Sequence, residues 1–396
     1  MSRAFRIDER PRPVIFSDTT LREGDQMPGS LLDADGKVEL ARALRDLGVA
    51  SIDAGFPANS ERELAAVQRV AAEVDGIIVS GLARALESDI DAVALALADL
   101  PPERRAVTVF LGSSPVHRRD KLHMDVDQLE ATVRASVTHA VATVGTCAFS
   151  PEDATRTEPE VLVRLYRAAL ESGARVLGYT DTVGIATPED VRERLGYLFD
   201  ELPGLAEALF AVHFHDDLGL AVANTVAGVD AGADIAQVAL NGVGERAGNA
   251  SLEEVAMCLD VHVDRYQRPI MLDLSRLYET CRLGAKRTGP PTHLHKALVG
   301  ENIYRTEAGV HQDGILKNPT TYLPWEPDKV GGPPLALVLG ASSGRAAFER
   351  ELHERGISLS EGQFDDFVRG MKNADRDQWE DIDSLVLIQL KEVGHE

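Results

Sequence analysis

Short apolar runs alternate with amphipathic stretches from Val14 to about Cys258. Runs rich in Val, Ile and Ala that end at turn residues predict strands, whereas apolar positions recurring every three or four residues predict helices. The predicted strands are Val14–Ser17, Ala50–Ala54, Gly76–Ser80, Ala106–Leu111, Ala140–Ala148, Ala174–Tyr179, Leu209–Phe214 and Ile235–Asn241. Each precedes one of the predicted helices, which are Asp35–Leu47, Ser60–Val74, Ser88–Leu97, Val126–Thr138, Pro159–Glu171, Pro188–Glu201, Leu220–Ala231 and Leu252–Leu259.

Eight strand–helix units in roughly 245 residues match the size and rhythm of a closed (β/α)8 barrel, the TIM barrel. Several predicted helices start where a helix start is favoured, for example at Ser60 with Glu63 three residues on. The rival fold is a doubly wound open sheet, which usually has a glycine-rich phosphate loop after its first strand. No such loop follows the first predicted strand, so the pattern favours the barrel.

Beyond Asp260 the pattern changes. Leu272–Lys286 is predicted to be helical, Gly300–Pro334 is loop-rich, and a helical tail with a charged surface runs from about Gly344 to Glu396. We therefore expect an α/β fold, a TIM barrel with a mostly helical C-terminal accessory region. The expected parts are a catalytic barrel (1–270), a linker and lid-like subdomain (271–334) and a helical C-terminal subdomain (335–396).

The net charge of the chain limits the kinds of partner that we expect it to bind. The chain carries a formal net charge of -23 at pH 7. Such a surface repels phosphate backbones and anionic lipids, so we expect neither a nucleic-acid nor a membrane partner. No run of about 18 apolar residues predicts a membrane-spanning helix, and Met1 to Pro13 lacks the apolar stretch of a signal peptide. Three widely spaced cysteines form no disulfide framework, which favours a cytoplasmic setting.

A cluster of metal-ligating residues is expected at the C-terminal ends of the strands, where the active sites of such barrels lie. His213 and His215 are two apart at the end of a predicted strand, so both can face the barrel interior, about 6–7 Å apart along the strand. Asp18, from the strand next to strand 8 in a closed barrel, could add a carboxylate, and Asn249 a carbonyl oxygen. This donor set favours Mg, Mn, Zn or Co. Two ordinary core or surface histidines are the alternative interpretation.

Several long motifs resemble one enzyme family. Asp18–Gln26 is similar to the DTTLRDGEQ signature of the DRE-TIM metallolyase superfamily. Residues 213–225 and 241–257 resemble two further signatures of its Claisen-condensing branch, which contains 2-isopropylmalate, citramalate and homocitrate synthases. Additional similarity lies at 149–158, 181–190 and 307–322. The resemblance implies an acyltransferase that condenses acetyl-CoA with a small 2-oxo acid, giving a 2-alkylmalate-type product and free CoA.

The resemblance also implies roles for individual residues. Asp18, His213 and His215 would be the metal ligands and Asn249 a fourth, more distant one. Arg22 would stabilise the alkoxide that develops in the transition state. His311 resembles the general base, and the residues expected to assist it are Glu152 and Tyr322. In related enzymes the segment around His311 reaches into the neighbouring barrel, which implies a homodimer.

The expected substrate-binding residues are mostly hydroxyl-bearing. Ser150 and Thr182 resemble the residues that hold the substrate carboxylate; the remaining candidates are Gln26, Thr108 and Thr180. Homocitrate synthases hold the distal carboxylate of 2-oxoglutarate with an arginine and a histidine, where this chain has Ala148 and Leu82. A buried carboxylate without a partner costs several kcal/mol, so 2-oxoglutarate is disfavoured.

Other positions depart from the 2-isopropylmalate synthase pattern. Thr108 and Gly178–Thr180 replace its histidine and its Asn-Ile-Pro run, Glu23 its usual aspartate, and Ser342 a later histidine. Because the sequence ends at Glu396, we also expect no regulatory domain of the kind found in the family. A non-standard acceptor with an aliphatic, aryl, phosphono or phosphino group is therefore a hypothesis. Homocitrate synthase, a lyase of the 3-hydroxy-3-methylglutaryl-CoA type, and a non-catalytic scaffold barrel are the alternatives.

Overall fold

The computed structural model describes residues 12–202, 204–205 and 208–395, so most of the charged N-terminal stretch lies outside the described residues. The chain divides into two compact units, Met1–Thr292 and His293–Glu396. The boundary between them falls within the segment 271–334, for which a linker and lid-like subdomain is predicted. The described helices include none long and apolar enough to cross a membrane.

The first unit is a closed barrel of eight parallel strands in sequence order, with β1 paired to both β2 and β8. The strands are β1 (Ile15–Asp18), β2 (Ser51–Asp53), β3 (Ile78–Arg84), β4 (Arg105–Gly112), β5 (Thr146–Glu152), β6 (Val176–Asp181), β7 (Leu209–Phe214) and β8 (Ile235–Val238). The predicted TIM barrel is confirmed.

Helices surround the strands of the first unit. They are α1 (Thr20–Gln26), α2 (Ala34–Leu47), α3 (Glu61–Glu73), α4 (Glu87–Ala96), α5 (Val126–Thr143), α6 (Pro159–Glu171), α7 (Pro188–Glu201), α8 (Ala221–Ala231), α9 (Leu252–Val261), α10 (Val263–Tyr266) and α11 (Leu277–Thr288). Helix α1 lies in a stretch for which the sequence pattern predicts no helix. Between α11 and the unit boundary, the chain leaves the helix at Gly289, whose φ of 106° favours glycine.

The start of β5 differs from the prediction. Ala140–Ala148 is rich in valine and threonine, residues that favour strands. In the structure α5 continues to Thr143, because Val137 and Ala140 are fully buried on the inner side of the helix. Tertiary packing therefore overrides local strand preference, and β5 starts at Thr146.

Side chains of the barrel strands alternate between two faces. The outward face is apolar and fully or nearly fully buried against the helices; it includes Phe16, Ile52, Val79, Val107, Phe149, Leu177, Val212 and Val238. The inward face is set by register: Ser17 of β1 pairs with Ser51 of β2 and Gln237 of β8, and Gln237 pairs with His213 of β7. This alternation delivers polar side chains to the barrel interior.

The second unit is mostly helical, as predicted for the C-terminal region. Two short parallel strands, β9 (Arg305–Thr306) and β10 (Ala336–Leu337), form a small sheet. The helices are α12 (Gly309–Lys317), α13 (Arg345–Glu354), α14 (Glu361–Asn373) and α15 (Ile382–Glu392). Buried residues of the last three helices form one apolar core, which includes Phe348, Phe367, Met371 and Leu385. Helix α12 lies in the stretch that was predicted to be loop-rich.

Candidate active site

A polar cavity of about 550 Å³ lies at the C-terminal ends of the strands. Inward-facing residues from seven strands line it, together with residues of α1 and of the loops. The lining includes Arg22, Glu23, Gln26, Asp53, Phe56, Leu82, Thr108, Phe110, Ser150, Glu152, Thr180, Thr182, His213, His215, Gln237 and Glu245. A cavity therefore lies at the barrel mouth, where the site is predicted, and most of the predicted site residues line it.

Helix α1 places a buried guanidinium beside two carboxylates. Arg22 Nε lies 2.5 Å from Asp53 Oδ2, and Arg22 Nη1 lies 2.6 Å from Glu23 Oε1. Burial opposes the charge of Arg22, but Glu23 and Asp53 outweigh it and raise the arginine pKa above its usual range. Burial likewise opposes the charge of Glu23, yet Arg22 is the main cause that lowers the pKa of this carboxyl to about 2. Both groups are therefore charged at neutral pH.

Two histidines at the end of β7 complete a compact donor group with Glu23. His213 Nε2 lies 3.4 Å from His215 Nε2 and 3.7 Å from Glu23 Oε1. The three residues can offer one ligand atom each within 4.8 Å of one another. Burial lowers the pKa of His213 to about 3 and also lowers that of His215. Both imidazoles are therefore neutral at pH 7, with lone pairs free for a metal.

Asn249 is a backbone neighbour of His215 and has a buried side-chain oxygen. It forms an antiparallel bridge with His215, and its Oδ1 is buried without a hydrogen-bond partner among the described residues. A Cβ at Gly244 would lie 2.1 Å from Asn249 Nδ2 and 3.3 Å from Glu23 Oε2, so glycine lets these side chains approach. Two nitrogens, a carboxylate and a buried amide oxygen left without a donor fit a divalent cation.

Asp18 lies away from this group, which corrects its predicted position. Ser17 faces the barrel interior, so the next side chain on β1 faces the surrounding helices. Asp18 Oδ1 accepts from the backbone N–H of Thr20, and burial, with a smaller effect of the neighbouring Glu253, raises its pKa to about 7. Glu23, on helix α1 shortly after β1, lies beside the two histidines and can offer a carboxylate instead.

The predicted substrate-binding residues line the cavity. Ser150 and Thr180 hydroxyls lie 2.8 Å apart, and Thr182 Oγ1 accepts from the backbone N–H of Asp153 at 2.8 Å. A Cβ at Gly178 would lie only 2.4 Å from Ser150 Oγ, so the glycine makes room for this hydroxyl. Because the two paired hydroxyls share one proton between them, the other proton can be donated to a substrate.

His311 and Tyr322 belong to the second unit. Their ring centroids are 4.2 Å apart, and both side chains are exposed there. Sequence reasoning missed Glu23 and Asp53 as site residues, although Asp53 ends β2 two residues after inward-facing Ser51. Strand alternation could have found Asp53; Glu23 lies on a helix that the pattern did not predict.

Comparisons with known proteins define the class. The sequence pattern described as HMGL-like matches residues 13–283, more than half of the chain, and that described as "Homocitrate synthase post-HMGL domain-like" matches 298–378. The fold resembles hydroxymethylglutaryl-CoA lyase from Pseudomonas aeruginosa, with a TM-score of 0.59 and 20% identity over 72% of this chain and 95% of that one. Identity this low supports the fold only.

Closer relatives specify the branch. The chain is 42% identical to 2-isopropylmalate synthase from Pyrococcus abyssi over 96% of its length and 78% of the relative's. It is also 42% identical to 2-isopropylmalate synthase from Nitratidesulfovibrio vulgaris, over 96% of this chain and 74% of that one. The chain belongs to the HMGL-like family, within the group that holds these synthases. This membership confirms the predicted family and the predicted acyltransferase class of enzyme.

Proposed function

We propose that this enzyme joins acetyl-CoA to a small 2-oxo acid by a Claisen-type condensation. A base takes a methyl proton from the acetyl group, and the methyl carbon forms a bond to the ketone carbon of the acceptor. The carbonyl electron pair becomes an alkoxide, which is protonated, and water then cleaves the thioester to release CoA. The observation that carries this proposal is the buried Glu23, His213 and His215 group beside the charged Arg22.

The residues proposed to hold a divalent metal are Glu23, His213 and His215, with Asn249 as the fourth. A bound divalent ion would supply Lewis-acid polarisation of the acceptor's ketone. Arg22 is proposed to stabilise the negative charge that develops on the ketone oxygen. Its guanidinium is already fixed by Asp53 and Glu23, so little reorganisation is needed when that charge appears.

The hydroxyls of Ser150 and Thr182 are proposed to bind the acceptor carboxylate, with Gln26 at the rim. Thr108 and Thr180 would then contact the acceptor side chain. All five line one cavity, which supports this assignment. Hydroxyl groups donate hydrogen bonds without adding a charge that would compete with the metal.

We further propose a homodimer in which His311 serves the neighbouring barrel as the base, with Tyr322 beside it and Glu152 as its partner. The resemblance of residues 307–322 to the family segment motivates this arrangement. Val310, next to the histidine, is 76% exposed in the single chain, which suits a segment that becomes covered in an assembly. A cytoplasmic location stays a prediction from the cysteine pattern.

Mixing two inactive variants tests the shared site. His311→Ala and His213→Ala are each expected to be inactive as pure homodimers. If the sites combine residues from both chains, a mixed dimer has one intact site, and unfolding and refolding equal amounts together should restore about a quarter of the wild-type rate. A mixture that stays inactive although mixed dimers form contradicts the proposed sharing.

The acceptor is proposed to be a 2-oxo acid with a small uncharged side chain, such as 2-oxoisovalerate. This follows the name of the relatives, because an isopropyl group on the product requires an isopropyl group on the acceptor. Ala148 and Leu82 offer no cation for a distal carboxylate. The comparisons give no support to a phosphono or phosphino acceptor. Homocitrate synthase is the second candidate, since residues 298–378 match a pattern that carries this enzyme's name.

CoA release, detected with a thiol reagent, tests the proposal. Purified protein is given acetyl-CoA, Mg²⁺ or Mn²⁺, and one acceptor from a set of pyruvate, 2-oxoisovalerate, 2-oxoglutarate and phosphonopyruvate. We expect metal-dependent release that is greatest with 2-oxoisovalerate. His213→Ala should abolish it, whereas His139→Ala, a histidine on α5 paired with Asp91, should not. CoA release only with 2-oxoglutarate would favour homocitrate synthase. If none of the acceptors gives CoA release, both candidates are contradicted.

A further inference from the structure

The segment between β4 and α5 contacts both the backbone and the side chain of Glu152, the last residue of β5. Directly after β4, the backbone N–H and the hydroxyl of Ser113 both donate to the carbonyl of Glu152, at 3.0 and 3.1 Å. Ser113 is fully buried, and its hydroxyl also lies 2.8 Å from that of Thr157. The backbone of Glu152 is therefore fixed from the neighbouring strand.

The side chain of Glu152 is held by the π-helical turn His117–Leu122 of the same segment. Lys121 Nζ lies 2.9 Å from Glu152 Oε1 and 2.7 Å from Oε2, and so contacts both carboxylate oxygens. His117 Nδ1 lies 3.7 Å from Glu152 Oε2. A Cβ at Gly112 would lie 2.9 Å from His117 Nδ1, so the glycine that ends β4 lets the turn approach.

The described charged residues that line the cavity leave Glu152 without a cation of its own, apart from Lys121. Glu23, Asp53, Glu152 and Glu245 all line the cavity, and Arg22 is the one lysine or arginine among its described lining residues. Arg22 is already bonded to Glu23 and Asp53. Lys121 therefore supplies the cation for Glu152, while remaining outside the cavity lining itself.

We propose that Lys121 is a positioning residue, which fixes the carboxylate of Glu152 at the cavity wall for its part in proton transfer. This inference rests on the proposed condensation. Contact with both oxygens restricts the rotation of the Glu152 carboxylate. Small displacements of such a group reduce the rate, because proton transfer requires hydrogen-bond distance. Lys121 acts through Glu152 and not on the substrate.

Steady-state kinetics of three variants test the inference. Lys121→Met removes the ammonium and keeps most of the chain length, and Lys121→Arg keeps the charge. Arg119→Met is the matched control, because Arg119 lies on the same turn but pairs with Asp120. We expect Lys121→Met to lower kcat about 10-fold or more, with both KM values within about twofold of wild type. Lys121→Arg should recover most of the rate, and Arg119→Met should match wild type.

A double-variant cycle shows whether Lys121 acts through Glu152. In a Glu152→Gln background, Lys121→Met should cause almost no further loss of kcat, because the group that it positions is already neutral. Circular dichroism melting is recorded for each variant, and Lys121→Gln replaces Lys121→Met if that variant fails to fold.

Several outcomes overturn the role of Lys121. An increase in KM for acetyl-CoA at constant kcat would mean that the lysine binds the co-substrate. If Lys121→Met lowers kcat by the same factor in the Glu152→Gln background as in the wild type, the lysine acts independently of Glu152. If the wild-type protein and Lys121→Met are equally active, the role of Lys121 is wrong and the proposed function is unaffected. If the wild-type protein releases no CoA with any acceptor, the proposed function itself is wrong.

Discussion

Two variants that replace a buried carboxylate by an amide, Glu23→Gln and Asp18→Asn, test which of the two carboxylates binds the metal. Glu23 lies beside His213 and His215, and Asp18 faces away from them. We expect Glu23→Gln to weaken Mn²⁺ or Zn²⁺ binding by more than about 100-fold, since losing a ligand exceeds the ~10–100-fold cost of losing a residue that only supports one. Asp18→Asn should leave the affinity within about threefold of wild type.

The pH dependence of the free energy of unfolding tests the raised pKa of Asp18. Burial raises its pKa from 3.8 to about 7, so the folded state keeps a proton that the unfolded state releases. Stability contributed by the neutral carboxyl is complete below about pH 4 and is lost as the pH rises to about 7. At about 1.36 kcal/mol per pH unit the loss is at most ~4 kcal/mol. Asparagine does not titrate, so Asp18→Asn should exceed wild type in stability by up to that amount at pH 8.

The assays are metal titration by calorimetry and urea unfolding of chelator-treated protein at pH 5 and pH 8. Wild-type protein should lose stability between these two pH values relative to Asp18→Asn. If Asp18→Asn loses the metal while Glu23→Gln keeps it, the assignment of the ligands is refuted. If the two proteins have the same pH dependence, the raised pKa is refuted.

Three further changes have defined outcomes. Lys37→Met leaves buried Glu63 without the ammonium 2.7 Å away and should cost about 3–5 kcal/mol in urea unfolding, with part recovered by adding Glu63→Gln. Gly178→Ala puts a methyl 2.4 Å from the neighbouring serine hydroxyl and should cost about 1–3 kcal/mol and raise the acceptor's KM, whereas Gly196→Ala, in open space, should stabilise by up to ~1 kcal/mol. Because burial lowers the pKa of His213 to about 3 and also lowers that of His215, metal affinity should fall by less than tenfold per pH unit from pH 7 to pH 5; a tenfold or greater loss per unit by calorimetry would contradict this.

Strand periodicity was sufficient to predict much of the site. The two-residue spacing of His213 and His215 places both imidazoles on the inward face, and the same rule delivers Ser150 and Thr180. A period of two is local, so it can be recognised in a single sequence. It does not show which face of the first strand is inward, and Asp18 was consequently placed inside the barrel.

The remaining errors have tertiary causes. Helix α1 spans Thr20–Gln26, too short to show a helical period, and it places Glu23 rather than a strand residue at the histidines. Helix α5 extends through valine- and threonine-rich sequence because burial of its apolar face stabilises it. Neither effect is encoded in the local order of apolar and polar residues, since each depends on what packs against the segment.

Charge at the cavity connects the proposed metal with the proposed acceptor. Arg22 pairs with Glu23 and Asp53, and Lys121 pairs with Glu152, so acidic side chains outnumber the cations at the cavity. A divalent cation would offset this excess of negative charge and would allow the site to accept the single carboxylate of a 2-oxo acid. A second carboxylate or a phosphonate would leave uncompensated negative charge in a partly buried site, so the same residues that favour a metal also favour an acceptor with an uncharged side chain.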